Sequence, residues 1–246
     1  MKAPFLLAAD IDGTLLGDEP GEKKMKALVE GQPGQVILAL VTGRSLPTIE
    51  PLIQQGRLPQ PDYICGDVGT ELYDCHDPQN RLGQRYASYA TDEWDLDTIY
   101  RLGLGEGVTM QYLPDGQPRF QACFDWDGKP QTLDAFRQRM AGVPECVILT
   151  SYDCYIDVHP AGMGKGRVVK FLQQELGLAW SHVVVAGDTG NDVQMFETGL
   201  QGVVPSNALD ELKRIAIHPW HYHSSLPAGR GVLDGLQHFG LIEPEL

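Results

Sequence analysis

Ala8-Ala9-Asp10-Ile11-Asp12-Gly13-Thr14-Leu15 sets two aspartates two residues apart, directly behind an apolar run. Phe5 to Ala9 reads as a short buried strand, and Gly13-Thr14 as the turn that ends it. Side chains at i and i+2 of an extended segment share a direction, so Asp10 and Asp12 are expected to project together from the strand's carboxyl end. Carboxylates that close repel unless a cation lies between them or one keeps its proton. The pair suits a metal-assisted reaction in which one carboxylate attacks and the other shuttles a proton. A bare D-x-D also occurs in acidic loops. The strand before it and the Gly-Thr after it are what point to chemistry.

Working outward, apolar strands alternate with amphipathic helices. Met25, Leu28 and Val29 mark one helix face, and Val36-Ile-Leu-Ala-Leu-Val41 is a continuous apolar run of the kind buried on both sides of a parallel sheet. Thr42-Gly43-Arg44-Ser45 follows, with Ser45 as N-cap and Pro47 in the first turn of a helix through Ile49, Leu52 and Ile53. Tyr63-Ile64-Cys65 reads as a third strand. From about Leu82 to Val158 the texture changes to aromatic-rich, alternating segments. Gln117 to Trp126 and Val147 to Tyr155 read as strands, with Leu133, Phe136 and Met140 on a helix between them. The α/β rhythm then resumes with a helix over Arg167 to Leu176 stopped by Gly177, a strand over His182 to Ala186, and helices marked by Leu209, Leu212 and Ile215 and by Val232, Leu233, Leu236 and Phe239. The expected architecture is a doubly wound, Rossmann-like parallel sheet with an α+β insert. The expected boundaries are 1–82 and 159–246 for the core and 83–158 for the insert.

The chain has 246 residues, 42% of them hydrophobic, so it can bury a sizeable core. Lys plus Arg 19 against Asp plus Glu 33 gives a net charge of −14, which repels nucleic acid and anionic lipid and excludes both as main partners. A phosphorylated substrate would then need a local focus of positive charge. No signal peptide or membrane span is visible, and five cysteines without C-x-x-C spacing fit reduced cytoplasmic thiols. His218, His221 and His223 lack a flanking cysteine or carboxylate at ligand spacing and read as a surface or substrate-side loop.

Three strand ends carry the polar residues: Asp10-x-Asp12, Thr42-Gly43-Arg44, and Gly187-Asp188-Thr189-Gly190-Asn191-Asp192. Ligands of an open parallel sheet bind beyond the carboxyl ends of its strands, so all three are expected at one crevice. Thr42 offers a hydroxyl, and the helix N-terminus behind it offers N–H groups for phosphate oxygens. Asp188, Asn191 and Asp192 are oxygen donors suited to a hard ion such as Mg²⁺, or else an Asx-rich cap. Lys165, between two glycines, reads as a lone cation in a flexible loop before a helix.

These patterns, in this order, resemble the haloacid dehalogenase superfamily of phosphotransferases: D-x-D-G-T, then a Thr after a strand, then Lys, then G-D-x-x-N-D. Within it the chain looks like the sucrose-phosphate phosphatase family of cyanobacteria and plants. The segments Leu40-Val-Thr-Gly-Arg-Ser45, Val68-Gly-Thr-Glu-Leu-Tyr73, Asp157-Val-His-Pro160, Gly164-Lys-Gly166, Val185-Ala-Gly-Asp-Thr-Gly-Asn-Asp-Val193, Met195-Phe-Glu-Thr198, Ser206-Asn-Ala208 and Gly229-Arg-Gly231 carry that likeness. Gln121-Ala122-Cys123 departs from it, standing where that family tends to have Lys-x-Ser.

The resemblance implies that the insert is a type-two cap and that the activity is Mg²⁺-dependent hydrolysis of sucrose 6-phosphate. Asp10 is then the nucleophile and Asp12 the general acid and base. Thr42 and Lys165 neutralise phosphoryl charge, Asp10, Asp12, Asp188 and Asp192 hold the metal, and Thr42, Gly43, Lys165 and Asn191 hold phosphate. Arg44 reaches the substrate or braces the crevice, while Glu71 and Gln121 contact the sugar. Mannosylfructose or trehalose phosphate is the alternative substrate, and a non-catalytic sugar-phosphate-binding module the alternative of another kind. Transient association with a sucrose-phosphate synthase is an expectation from the pathway.

Overall fold

The computed structural model describes residues 3–90 and 93–243, so residues 1–2, 91–92 and 244–246 of the expected core and cap segments lie outside the description. The strands are β1 (Phe5–Ala9), β2 (Val36–Val41), β3 (Tyr63–Gly66), β4 (Glu71–Asp74), β5 (Val108–Met110), β6 (Ala122–Trp126), β7 (Cys146–Ser151), β8 (Tyr155–Pro160), β9 (Val183–Ala186), β10 (Gln201–Val204) and β11 (His221–His223). The helices are α1 (Glu19–Gly31), α2 (Leu46–Gln54), α3 (Arg81–Ala87), α4 (Leu96–Gly103), α5 (Pro130–Met140), α6 (Lys165–Glu175), α7 (Val193–Phe196), α8 (Asp210–Lys213) and α9 (Ala228–His238). Among the described residues no helix is long and apolar enough to cross a membrane.

β1 runs through the middle of a seven-stranded sheet of order β11-β10-β9-β1-β2-β3-β4, parallel except for the β3–β4 pair. Its residues alternate between the two faces, as a strand must. Phe5, Leu7 and Ala9 join Met25 and Val29 of α1 and Leu236 of α9 in one apolar cluster. Leu6 and Ala8 join Val168, Val169 and Leu172 of α6 and Phe196 of α7 in the other. Helices thus cover both faces, which is why β1 and β2 read as unbroken apolar runs. A four-stranded antiparallel sheet of order β5-β6-β8-β7 forms the inserted cap. Its cluster of Ile99, Tyr100, Phe124, Phe136, Ile156 and Val158 is closed by α4 and α5. The doubly wound core with an α+β insert is the observed architecture.

Several local expectations change. The segment read as one strand from Val147 to Tyr155 is a hairpin, because Tyr152 and Asp153 both have left-handed backbones, φ 55° and 52°, and reverse the chain without a glycine. Only Ala122–Trp126 of the expected Gln117 to Trp126 strand is extended into the ladder. Ser45 occupies the N-cap of α2, but its hydroxyl meets Thr48 Oγ1 at 3.4 Å and caps no backbone N–H. His221 and His223 lie on the edge strand β11, and His218 stacks on Trp220.

Helix α3 sits with the core. Tyr86 lies in the cluster around β1, and its hydroxyl donates to the Gly69 carbonyl at 3.0 Å. We propose that the cap runs from α4 to β8, later at both ends than the sequence boundaries, since β8 continues in its ladder to Pro160.

Candidate active site

β1 stops at Ala9, and Asp10 N–H donates to the Ala186 carbonyl at 3.0 Å, extending the ladder with β9 by one bond. The chain then turns, with the N–H groups of Leu15 and Leu16 both donating to the Ile11 carbonyl, at 3.0 and 2.8 Å. Asp10 therefore points into the crevice and is buried, whereas Asp12 is carried past the strand end and stays half exposed. Asp12 meets Arg44 in a two-point ion pair, Nε to Oδ2 at 2.6 Å and Nη2 to Oδ1 at 2.8 Å.

Lys165 is the first residue of α6, fully buried, not a flexible loop cation. Its ammonium donates to Asp10 Oδ1 at 3.0 Å, Asn191 Oδ1 at 2.9 Å and Asp192 Oδ1 at 2.6 Å. One cation thereby ties the end of β1 to the turn after β9. Burial works against that charge, but the Asp10 and Asp192 carboxylates outweigh it and hold the Lys165 pKa above the ordinary lysine value.

The turn after β9 is shaped by its own polar groups. Asp192 Oδ2 accepts from the N–H groups of Asp188 at 2.9 Å and Thr189 at 3.1 Å. Gly187 is required there, since a methyl group on it would stand 2.5 Å from the Asp192 Cβ. Across the crevice Thr14 Oγ1 donates to Asp188 Oδ1 at 3.1 Å, and Gly13, at φ 74°, leaves the space that the Asp188 carboxylate fills.

Asp10, Asp188 and Asp192 bring carboxylate oxygens within 4.8 Å of one another. Burial pushes Asp10 up to about 7, against the pull of Lys165 and with the Asp192 charge adding to the rise. Burial likewise pushes Asp188 up to about 8, with Asp192 and Asp10 adding to it. Thr42 is buried at the end of β2, its Oγ1 accepting from Arg44 N–H at 3.2 Å.

Above this centre a cavity of about 290 Å³ opens between core and cap. Gly43, Arg44, Asp67 and Asn191 line it from the core, and Gln121, Tyr152, Tyr155 and Asp157 from the cap. Gln121 Nε2 donates to Asp157 Oδ1 at 2.6 Å, while Gln121 Oε1 is buried without a partner. Burial raises Asp157 above the ordinary carboxylate range, Gln121 notwithstanding, and takes Asp67 up to about 7.

The model of the family "Sucrose-6F-phosphate phosphohydrolase" matches residues 3–240. The chain belongs to that family. It is 31% identical over 261 residues to the mannosylfructose-phosphate phosphatase of Agrobacterium fabrum, covering 98% of this chain and 99% of that one. It is 24% identical to sucrose-phosphatase 1 of Nicotiana tabacum, spanning 60% of that protein's length. The sucrose-phosphatase of Synechocystis, solved in complex with sucrose and phosphate, superimposes with a TM-score of 0.88 at 27% identity, covering 97% of this chain and 99% of that one. Similar folds include a sugar phosphatase of the haloacid dehalogenase superfamily, at TM-score 0.71 and 16% identity. This member of the sucrose-6F-phosphate phosphohydrolase family is accordingly a hydrolase, a phosphatase of that superfamily.

Phosphatases of this superfamily generally use Mg²⁺, and the residues present fit one. Three buried carboxylates face a single ammonium, and hard oxygen donors suit a hard divalent ion. Asp10, Asp188 and Asp192 are the donors that would hold it, and Asp192 also accepts from Lys165 and from two backbone N–H groups. Asp12, expected among the ligands, holds its carboxylate on Arg44 and outside the cluster. Glu71 is not among the residues around the cavity, and Asp67 stands there instead. Sequence reasoning passed over Asp67, Asp157 and Tyr152 as site residues. A carboxylate after a strand and before Val68-Gly69 was the available signal for Asp67. None existed for Tyr152.

A stability prediction follows from the raised pKa values. The folded state holds protons on Asp10 and Asp188 that the unfolded chain releases near pH 4, so metal-free stability falls as pH rises from about 4 to 8. Asp188→Asn keeps an acceptor for Thr14 and removes one of the buried charges. Its metal-free Tm at the upper end of that range is expected to rise by about 5 °C, with turnover lost. Thermal melts in a chelator across that pH range check this, and an unchanged slope of Tm with pH refutes it.

Proposed function

We propose that this protein hydrolyses the phosphate ester of a disaccharide, sucrose 6-phosphate foremost, through an aspartyl-phosphate intermediate. The observation that carries the reading is the buried Asp10 carboxylate, clustered with Asp188 and tied through Lys165 to Asn191, which lines the cavity between core and cap. Asp10 attacks phosphorus, and the bond from phosphorus to the sugar oxygen breaks. Lys165, Thr42 and the N–H groups behind Thr42 oppose the charge on the phosphoryl oxygens. Asn191 and Asp192 hold the Lys165 ammonium in place. A Mg²⁺ ion held by Asp10, Asp188 and Asp192 would add electrostatic stabilisation of the same charge.

Asp12 serves the proton transfers, giving a proton to the leaving sugar oxygen and taking one from the water that hydrolyses the acyl phosphate. Its two-point contact with Arg44 fixes the carboxylate at the edge of the crevice. Arg44 also lines the cavity, so a phosphorylated substrate entering there offers the guanidinium another anion. That accounts for both roles read for Arg44, bracing the crevice when empty and meeting the substrate when filled.

The cap supplies the choice of sugar. A cavity of about 290 Å³ is at the lower edge of ordinary ligand sites, about 300–1,000 Å³, and is lined by acceptors suited to hydroxyl groups. The sucrose and phosphate bound by the Synechocystis relative support sucrose 6-phosphate. The 31% identity to the mannosylfructose-phosphate phosphatase supports a second reading, in which only the sugar differs. Phosphate release from sucrose 6-phosphate, mannosylfructose phosphate, and glucose and fructose phosphates separates these. Sucrose 6-phosphate is expected to be turned over at least about tenfold better than either monosaccharide ester, since sugar contacts remote from phosphorus contribute to closure. A best substrate with no second ring refutes the disaccharide assignment, and full activity in a chelator refutes the mechanism. Binding without turnover is the result a non-catalytic module would give.

A further inference from the structure

The β7–β8 hairpin of the cap rests on the core turn that carries Asn191 and Asp192. A methyl group placed on Gly190 would come within 2.6 Å of the Thr150 carbonyl oxygen, so the two backbones meet there. The hairpin closes over Ser151–Cys154, with Cys154 N–H donating to the Ser151 carbonyl at 3.3 Å and Tyr152 and Asp153 at φ 55° and 52°. Two successive left-handed residues form the mirror-image turn that Asn-Gly fills best. A bulky tyrosine at the first of these positions is disfavoured by its own backbone, and such outliers persist where the side chain has a task.

Where that side chain goes suggests the task. Tyr152 is half exposed, lines the cavity beside Gly43, Arg44 and Asn191, and sets its ring edge-on to Tyr155 with centroids 6.3 Å apart. Burial raises the phenol above its ordinary pKa, and the charges of Asp188, Asp10, Asp12 and Asp192 raise it further. The ring stands in the cavity wall beside Arg44 and Asn191, and its hydroxyl keeps its proton. It is a neutral donor held over an anionic centre.

We propose that Tyr152 is a substrate-contacting residue, delivered by the cap, whose hydroxyl donates a hydrogen bond to a phosphoryl oxygen of the bound sugar phosphate. This rests on the sugar-phosphate reading above. Sugar contacts hold the cap down and bring the hydroxyl to the phosphoryl group. An ester without a sugar leaves the cap free to lift and forgoes the contact.

Two variants test it, each in the full chain with Mg²⁺. Tyr152→Phe removes only the hydroxyl. It is expected to lower kcat on the best sugar phosphate about tenfold or more, the range for a hydrogen bond to a charged group, and to lower p-nitrophenyl phosphate turnover by a clearly smaller factor. Tyr152→Asn places a residue suited to the left-handed turn. It is expected to raise Tm while lowering sugar-phosphate turnover, whereas a tyrosine kept for packing would give a lower Tm. Wild type active on a sugar phosphate with an equally active Phe variant overturns the proposal alone, as does an equal loss on both kinds of ester or a lower Tm in the Asn variant. Wild type active on no sugar phosphate overturns the sugar reading and the proposal with it.

Discussion

Asp10→Asn is expected to lose turnover by at least about four orders of magnitude while keeping its fold. An amide does not attack phosphorus, and each factor of ten corresponds to about 1.4 kcal/mol of lost transition-state stabilisation. The amide oxygen can still accept from Lys165 Nζ, now 3.0 Å from Asp10 Oδ1, so the crevice keeps its geometry. One of three crowded carboxylates becomes neutral, and with burial holding Asp10 up at about 7 the variant is expected to melt no lower than wild type without metal. The checks are steady-state phosphate release, a thermal melt, and mass spectrometry after acid quench, which is expected to find phosphate on Asp10 in wild type and none in the variant. A rate above about a tenth of wild type would remove Asp10 from the nucleophile's role.

Lys165→Met is expected to damage both stability and rate, which separates it from Asp10→Asn. The ammonium is fully buried and serves Asp10, Asn191 and Asp192 at once. Removing one partner of a buried ion pair leaves uncompensated charge and costs about 3–5 kcal/mol. For a chain of this size that is a Tm lower by roughly 6–20 °C. Turnover is expected to fall by about 10²–10³, the usual effect of deleting one group that stabilises developing anionic charge. Mg²⁺ is expected to restore part of the lost Tm and none of the rate, because it neutralises the carboxylates without replacing the ammonium. A variant that melts within about 2 °C of wild type would show that the carboxylates are compensated elsewhere.

The residues legible in the sequence are those whose position follows from a strand end. Asp10 and Thr42 stand directly after an apolar run and Asp188 one glycine beyond another, and in a parallel sheet that address is already a place in the crevice. The alternation of strand and helix, the Gly177 stop and the insert were legible for the same reason: period and punctuation are local properties.

What only the tertiary structure decided depends on chain segments far apart in sequence. Asp10 and Lys165 meet across 155 positions, and the burial that makes their pair strong exists only once α6 covers the sheet. Asp12 was read from β-strand periodicity as the companion of Asp10; that an arginine 32 positions on holds its carboxylate was visible only in the fold. Asp192 was read as a ligand from its spacing, and it does join the carboxylate cluster; that it also binds Lys165 and the N–H groups of its own turn was not legible. The Tyr152 turn had a weak signal, since Asp153 alone favours a reversal and no glycine marks it; the Cys154 N–H bond to the Ser151 carbonyl and packing on Gly190 hold it in the fold. Local pattern determined which groups the crevice contains; pairing among those groups was decided by desolvation and charge, which act only through the folded whole.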